Sequence, residues 1–161
     1  EKLMTGHAEL HFKAEVDLLQ TVPGVGPVTS AAFIAQVEDP ARFGSARAVC
    51  RYVGLTSSVR TSGKTIQMGQ VSKCGNSRLR GYLVQAAIHM LRHAGSDDPL
   101  VEWYQQVKAR RGWRKARVAL ARKIAAVCHG ILRHRTPYNP NHIKQVLSEK
   151  ETNHARGQVR Q

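Results

Sequence analysis

Residues 18–37 read LLQTVPGVGPVTSAAFIAQV, and the way this stretch divides sets the fold. Pro23 stops an incoming helix, Gly24 and Gly26 bracket Val25 in a tight turn, and Pro27 suits the first turn of a second helix running to about Val37. Upstream, Met4, Ala8, Phe12, Val16 and Leu19 recur at steps of about four, which predicts an amphipathic helix with its acids on the opposite side. Downstream, Ser45 is placed to cap a short helix through Val53 that Gly54 ends. Asn76 or Ser77 caps another, with Leu79, Tyr82, Leu83, Ala86, Ala87, Met90 and Leu91 inward and Arg78, Gln85 and Arg92 outward. Gly95 closes it, and Asp98-Pro99 opens the next, with Leu100, Trp103, Tyr104 and Val107 inward. A last helix runs from about Arg114 to Leu132 along the line Leu120, Ile124, Val127 and Ile131. The fold class is therefore mainly α. A single domain over residues 1–136 is expected, with structure ending at the TPYNP segment from Thr136 and a mobile basic tail over 137–161.

Charge is distributed unevenly. Net charge is +14, yet no carboxylate occurs from Ala41 to Ser96, nor from Trp103 to Ser148, and these two segments carry 20 Lys and Arg. Blocks this one-sided repel themselves unless a polyanion or counterions screen them, so nucleic acid is the partner they imply. A generally basic soluble protein is the alternative. Three widely spaced cysteines support neither a disulfide framework nor a zinc site. No apolar run approaches the length of a membrane span, and a cytoplasmic protein with no membrane partner is the default.

The stretch that most needs a functional explanation is residues 54–80, GLTSSVRTSGKTIQMGQVSKCGNSRLR. This stretch has five basic residues (Arg60, Lys64, Lys73, Arg78 and Arg80), four glycines and no acid. Its small hydroxyl residues disfavour helix, while Val59, Thr65 and Ile66 tolerate strands, so an irregular or hairpin loop is expected. Such a composition suits a phosphate backbone. The helix from Arg114 is also cationic in its first turns (Arg114, Lys115 and Arg117, then Arg122 and Lys123). Cations there oppose the helix dipole, and contact with phosphate would compensate.

Chemistry on a nucleic acid needs either carboxylates for metal ions or an activated nucleophile. Asp97 and Asp98 read as a helix cap rather than as ligands, and His89 and His93, four apart, have no evident third partner, so no metal site is assigned to this chain. Ser62 is the candidate nucleophile. Gly63 beside it lets a phosphate come close, and Lys64 supplies charge for a pentavalent phosphorus. The residues alone favour a plain Thr61-Ser62-Gly63 turn over a nucleophile, because no base stands beside the hydroxyl.

Two resemblances extend this reading. Residues 15–37 resemble the helix-hairpin-helix module of many DNA-binding proteins, in which backbone N–H groups at the start of the second helix hold a phosphate; Gly24 and Gly26 are the matching glycines. A tight turn between packed helices is the other possibility. The segments PGVGPVTSAAFIAQVEDPARFGSARAVCRYVGL (23–55), TSGK (61–64), MGQVSKCGNSRLRGYLVQAA (68–87) and ARVALARKIAAV (116–127) together resemble the C-terminal domain of the bridge-RNA-guided insertion-sequence transposases. This is the one-hundred-and-ten family, related to a pilin-gene invertase, and the likeness covers about residues 15 to 135.

The resemblance implies a serine that attacks DNA and forms a phosphoserine link, and it places that serine on Ser62, with Ser57 and Ser58 as distant fallbacks. Thr61 stands where many members have a serine, Lys64 where they have a second glycine, and Cys74 where a basic residue is common. Gly69, Ser72, Lys73, Gly75 and Asn76 match the segment that follows. The resemblance also implies an N-terminal RuvC-like domain whose acids bind Mg2+. The chain opens at Glu1 without Met, inside a predicted helix, so a fragment lacking that domain is expected.

The function expected is that of a DNA transposase or recombinase fragment of a prokaryotic, nucleoid-associated protein. It binds double-stranded DNA and a structured guide RNA through Gly24, Gly26, Arg60, Lys64, Lys73, Arg78, Arg80, Arg114, Lys115 and Arg117, and it supplies Ser62. The full protein is expected to be a homo-oligomer, and this piece to be inactive alone. The alternatives are a non-catalytic helix-hairpin-helix binding module and a structural RNA-binding protein.

Overall fold

The computed structural model describes the backbone of residues 2–62, 65–71 and 75–158, and the side chains of 11–56 and 75–149. The fold is mainly α, as the periodicities require. Helices α1 (Lys2–Gln20) and α2 (Pro27–Val37) are followed by a 3-10 turn (Pro40–Arg42) and α3 (Ala46–Tyr52). Strands β1 (Ser57–Ser62) and β2 (Thr65–Val71) come next, then α4 (Ser77–His93), α5 (Pro99–Arg111), α6 (Trp113–His134) and α7 (Pro140–Gln158). The strands form one antiparallel pair, in register from Val59 opposite Met68 to Ser62 opposite Thr65, with a slip between Ser57 and Val59.

Helix α6 is the axis of the core. Ala116, Leu120, Ala121, Ile124, Ala125, Cys128, Ile131 and Leu132 are buried along it, and α3, α4 and α5 pack on this stripe. Its alanines let those neighbours come close, while Leu79, Leu83 and Met90 of α4 and Phe33 of α2 fill the remaining space. Local signals start the helices as expected. Ser45 Oγ accepts from the Ala48 N–H at 3.3 Å, Asn76 Oδ1 from Arg78 and Leu79 at 2.9 and 3.2 Å, and Asp98 Oδ1 from Leu100 at 2.9 Å. Buried His129 places Nε2 3.0 Å from the Pro40 carbonyl, which can only accept, so that nitrogen carries the proton.

Several expectations are corrected. Phe12 is exposed, although Leu19 further along α1 is fully buried. Tyr82 also faces outward, and Trp103 is half-buried, with Lys123 Nζ 4.8 Å above its ring. The structured part does not end at Thr136. Asn139 Oδ1 accepts from Asn141 and His142, Pro140 begins α7, and Ile143 and Leu147 pack at helical spacing against the core. Tyr138 ties the connection down: its N–H donates to Thr21 Oγ1 at 2.8 Å and its hydroxyl to Asp98 at 3.0 Å. Burial and the Asp98 charge push the Tyr138 phenol well above its usual range, so it stays a donor. Nearby, Arg135 bonds Glu15 of α1 at 2.7 Å.

Among the described residues, no helix is long and apolar enough to cross a membrane.

Candidate nucleic-acid interface and serine hairpin

The two strands leave the helical core through a closed base. Gly54, at φ 76°, ends α3, and the buried Leu55 follows with its N–H on the Cys50 carbonyl at 2.9 Å. Arg122 of α6 donates from Nε to the Leu55 carbonyl at 2.8 Å, and the Cys50 thiol donates back to the Arg122 carbonyl at 3.4 Å. On the returning side, Gly75 sits at φ 112°. A side chain there would collide with the Tyr52 carbonyl and come within 3.3 Å of Gly54 N, so the outgoing and returning chains touch backbone to backbone.

Asn76 closes the clamp. Its oxygen caps α4, while its Nδ2 donates to Gln36 Oε1 at 2.6 Å, and Gln36 Nε2 donates to the Tyr52 hydroxyl at 2.8 Å. Helices α2, α3, α4 and α6 thus all hold the base of the hairpin.

Ser62 is the last residue of β1, at the end of the pair furthest from this clamp. Arg60 lies in β1 opposite Gln67, and Gly69 lies in β2. The side chains of Ser62, Arg60, Ser57 and Ser58 are outside the described residues, and so are Gly63, Lys64, Ser72, Lys73 and Cys74 entirely. Arg78 is exposed in the first turn of α4, whereas Arg80 is half-buried and already engaged within the fold.

At the start of α6, Arg114 and Lys115 are exposed and Arg117 is half-buried. Their helix also carries Arg122, so the cationic end at Arg114 stands about 12 Å along the axis from the hairpin base. Arg122 and Lys123 are not free phosphate ligands: the first holds Leu55 and the second covers Trp103.

The two glycines of the α1–α2 turn differ. Gly24, at φ 84°, presses its α-carbon on α4, where a side chain would strike the backbone at Ala86 and Met90. The space left by its missing side chain is thus filled by the protein itself. Gly26 caps α2 without a side-chain bond, and nothing lies within 4 Å of where its Cβ would be. A cavity of about 430 Å³ opens beside it, lined among others by Gln20, Thr29, His89 and His93. The two imidazoles stack with centroids 5.9 Å apart. Among the described residues, no three His, Cys, Asp or Glu side chains gather in a way that could hold a metal ion.

Burial raises the Cys50 thiol to about 11, an effect only partly offset by the Arg122 charge, and raises Cys128 to about 12. Both are therefore protonated and unreactive at neutral pH. Iodoacetamide at pH 7.5 is expected to leave both unmodified in the folded chain and to label both in denaturant, as read by peptide mass spectrometry.

The clamp residues Gln36, Tyr52 and Arg122 lie inside the segments that carry the family resemblance, but neither spacing nor residue type marked them as site residues. They act across sequence separations of 40 residues, from Gln36 to Asn76, and 67 residues, from Arg122 to Leu55.

Residues 16–104 match the transposase IS116/IS110/IS902 family. The chain is similar to a probable family 20 transposase of Pseudomonas aeruginosa, 30% identical over 134 residues, which covers 83% of this chain and 40% of that protein. It is also similar to the transposase for insertion sequence element IS1111A of Coxiella burnetii, 33% identical over 121 residues, covering 74% of this chain and 33% of that protein. An insertion element IS110 protein of Streptomyces coelicolor is 28% identical over 123 residues, covering 75% of this chain and 29% of its own length. The chain thus spans two fifths or less of the length of these relatives.

Proposed function

Because the chain belongs to the transposase IS116/IS110/IS902 family, we propose that it supplies the serine half of a DNA strand-exchange site and much of the surface that holds the nucleic acid. The observation that carries this reading is the clamped hairpin: its base is fixed by four helices, and Ser62 sits at its far end. A nucleophile needs defined placement against a phosphate, and such a mount limits its motion.

In this reading the Ser62 oxygen attacks a backbone phosphorus. An O–P bond to serine forms, and the bond from phosphorus to one deoxyribose oxygen breaks. The serine proton goes to a base outside the hairpin, and the released deoxyribose oxygen takes a proton. Reversal with the hydroxyl of a different strand completes exchange and restores the serine. Arg60, Lys64 and Lys73 of the hairpin segment would neutralise the phosphate.

Residues 41–96 contain no carboxylate, and the described residues do not fit a Mg2+ site, so no step is drawn through a metal in this chain. The RuvC-like acids and their Mg2+ belong to another part of the transposase in this proposal, and for that reason residues 1–161 alone bind nucleic acid without cutting it. Double-stranded DNA, a structured guide RNA and a homo-oligomeric assembly, in a cytoplasmic, nucleoid-associated setting, complete the proposal.

The α1–α2 turn acts as the helix-hairpin-helix contact, with the open Gly26 admitting phosphate to the start of α2. At the other contact, replacing both Arg114 and Lys115 by alanine removes two phosphate neighbours. The slope of log affinity for single-stranded DNA against log salt is expected to become shallower by about 1.4.

The rival reading, a non-catalytic binding module, is favoured by the same cations. Ser62→Ala in the full-length transposase separates the two when binding and strand exchange are measured independently. Loss of exchange with DNA affinity kept within about threefold supports the serine reading. Unchanged exchange, or exchange that falls only in step with affinity, overturns it.

A further inference from the structure

We propose that Trp113, together with Arg114 and Arg117, forms a stacking platform for an unpaired nucleotide, so that this end of the domain grips single-stranded nucleic acid rather than duplex. The proposal rests on the nucleic-acid reading above and narrows it at one place. Trp113 is the first residue of α6 and is 47% exposed, although it lies on the same helical face as the buried Ala116 and Leu120. The start of α6 projects beyond the core, and its largest apolar side chain is left facing solvent.

The Arg117 guanidinium lies 4.6 Å from the Trp113 ring centroid and that of Arg114 lies 5.1 Å away, contacts that favour this pose of the indole. Arg110, Arg111 and Lys115 are exposed beside it in sequence, at the adjoining ends of α5 and α6. No carboxylate occurs from residue 103 to 148, and neither ion pair found among the described residues involves these cations. Gly112 caps the helix with no side-chain bond, so backbone N–H groups at this end add to the positive field.

Cations alone would serve a duplex, whose phosphates line its outside and whose bases are stacked within. An exposed indole with guanidiniums against it has no counterpart on an intact duplex. It matches an unpaired base, whose free face can add to the stack while its flanking phosphates meet the arginines. A polyacid without aromatic rings would satisfy the charge but offer nothing to stack on the indole.

The test uses the full chain carrying Trp103→Phe, which leaves Trp113 as the one tryptophan. It is titrated with a twelve-nucleotide RNA, the same sequence as DNA, the matching duplex, an abasic strand of equal length, and poly-glutamate. Indole emission quenched by half or more with RNA or DNA single strands, and little with the duplex, abasic strand or poly-glutamate, is the expected result. The stronger of the RNA and DNA arms identifies the source of the unpaired base.

In the otherwise native chain, Trp113→Ala is expected to weaken single-strand binding about tenfold and duplex binding less than twofold, with Trp113→Phe within about threefold of native. Because Trp113 lies at the solvent-facing start of α6, circular dichroism should report an intact fold for both variants. Equal weakening on single strand and duplex, binding without quenching, or quenching by poly-glutamate overturns the platform while leaving the nucleic-acid reading in place. Absence of binding to any nucleic acid overturns both.

Discussion

Ser62→Ala in the full-length transposase is expected to lower strand exchange by on the order of 10⁴-fold or more, because removal of a covalent nucleophile takes away the step on which the others depend. The hairpin should survive the change. Ser62 and Thr65 pair through their backbones at the end of β1, and alanine has the same backbone requirements as serine at that position. DNA affinity is expected to stay within about threefold, since the cations carrying the phosphate contact remain. Ser57→Ala and Ser58→Ala form the comparison. Both lie at the start of β1, near the clamp and at the opposite end of the strand from Ser62, and both are expected to retain exchange within a few fold. Loss of exchange in either of them, with Ser62→Ala active, would move the nucleophile.

Gly75→Ala is expected to be the most damaging small change to the scaffold. At φ 112° an L side chain is strained, by about 1–2 kcal/mol. The added methyl would also meet the Tyr52 carbonyl and lie 3.1 Å from the Val53 carbonyl carbon, both backbone groups that cannot rotate away. That collision adds about 1–3 kcal/mol. A total loss of about 2–5 kcal/mol should appear as a lower denaturant midpoint, and amide exchange should quicken first at Leu55 and Leu79, whose N–H groups are bonded at the clamp. Gly26→Ala is the control. With open space at its Cβ and φ at −95°, it should cost only a few tenths to about 1 kcal/mol.

These two sites also show what a sequence of this kind discloses. Helices α2 to α6 were legible because their determinants are local: Ser45, Asn76 and Asp98 bond N–H groups two or three residues on, and Leu79, Leu83, Ala86 and Met90 recur with the helical period. Helix α7 was missed because its polar composition outweighed Asn139, Pro140, Ile143 and Leu147, which together form a cap, a first turn and an apolar stripe. The exposure of Phe12 and Tyr82 depends on which helices pack against them, which periodicity does not encode.

In the candidate site, the glycine at 24 was visible but its use was not. Its contact is with α4, more than 60 residues away, so a positive φ and a close approach arise only once the helices are packed. The same is true of Arg122. As a residue in a cationic helix it reads as a phosphate ligand, and only the folded chain shows it holding the Leu55 carbonyl. Trp113 reads from the sequence as part of a basic break with Arg110 and Arg111, and only the folded chain shows it opening α6 with an exposed ring beside two guanidiniums.

The central claim is that the hairpin presents Ser62 to a DNA phosphate. The most direct measurement is a trapping experiment with the full-length transposase and a nicked DNA substrate that prevents the reverse step, followed by proteolysis and peptide mass spectrometry. The account predicts a nucleotide linked through phosphate to the peptide containing Ser62, localised to that oxygen and absent from Ser62→Ala. A linkage on any other side chain, or efficient strand exchange with no covalent protein–DNA species, would contradict it.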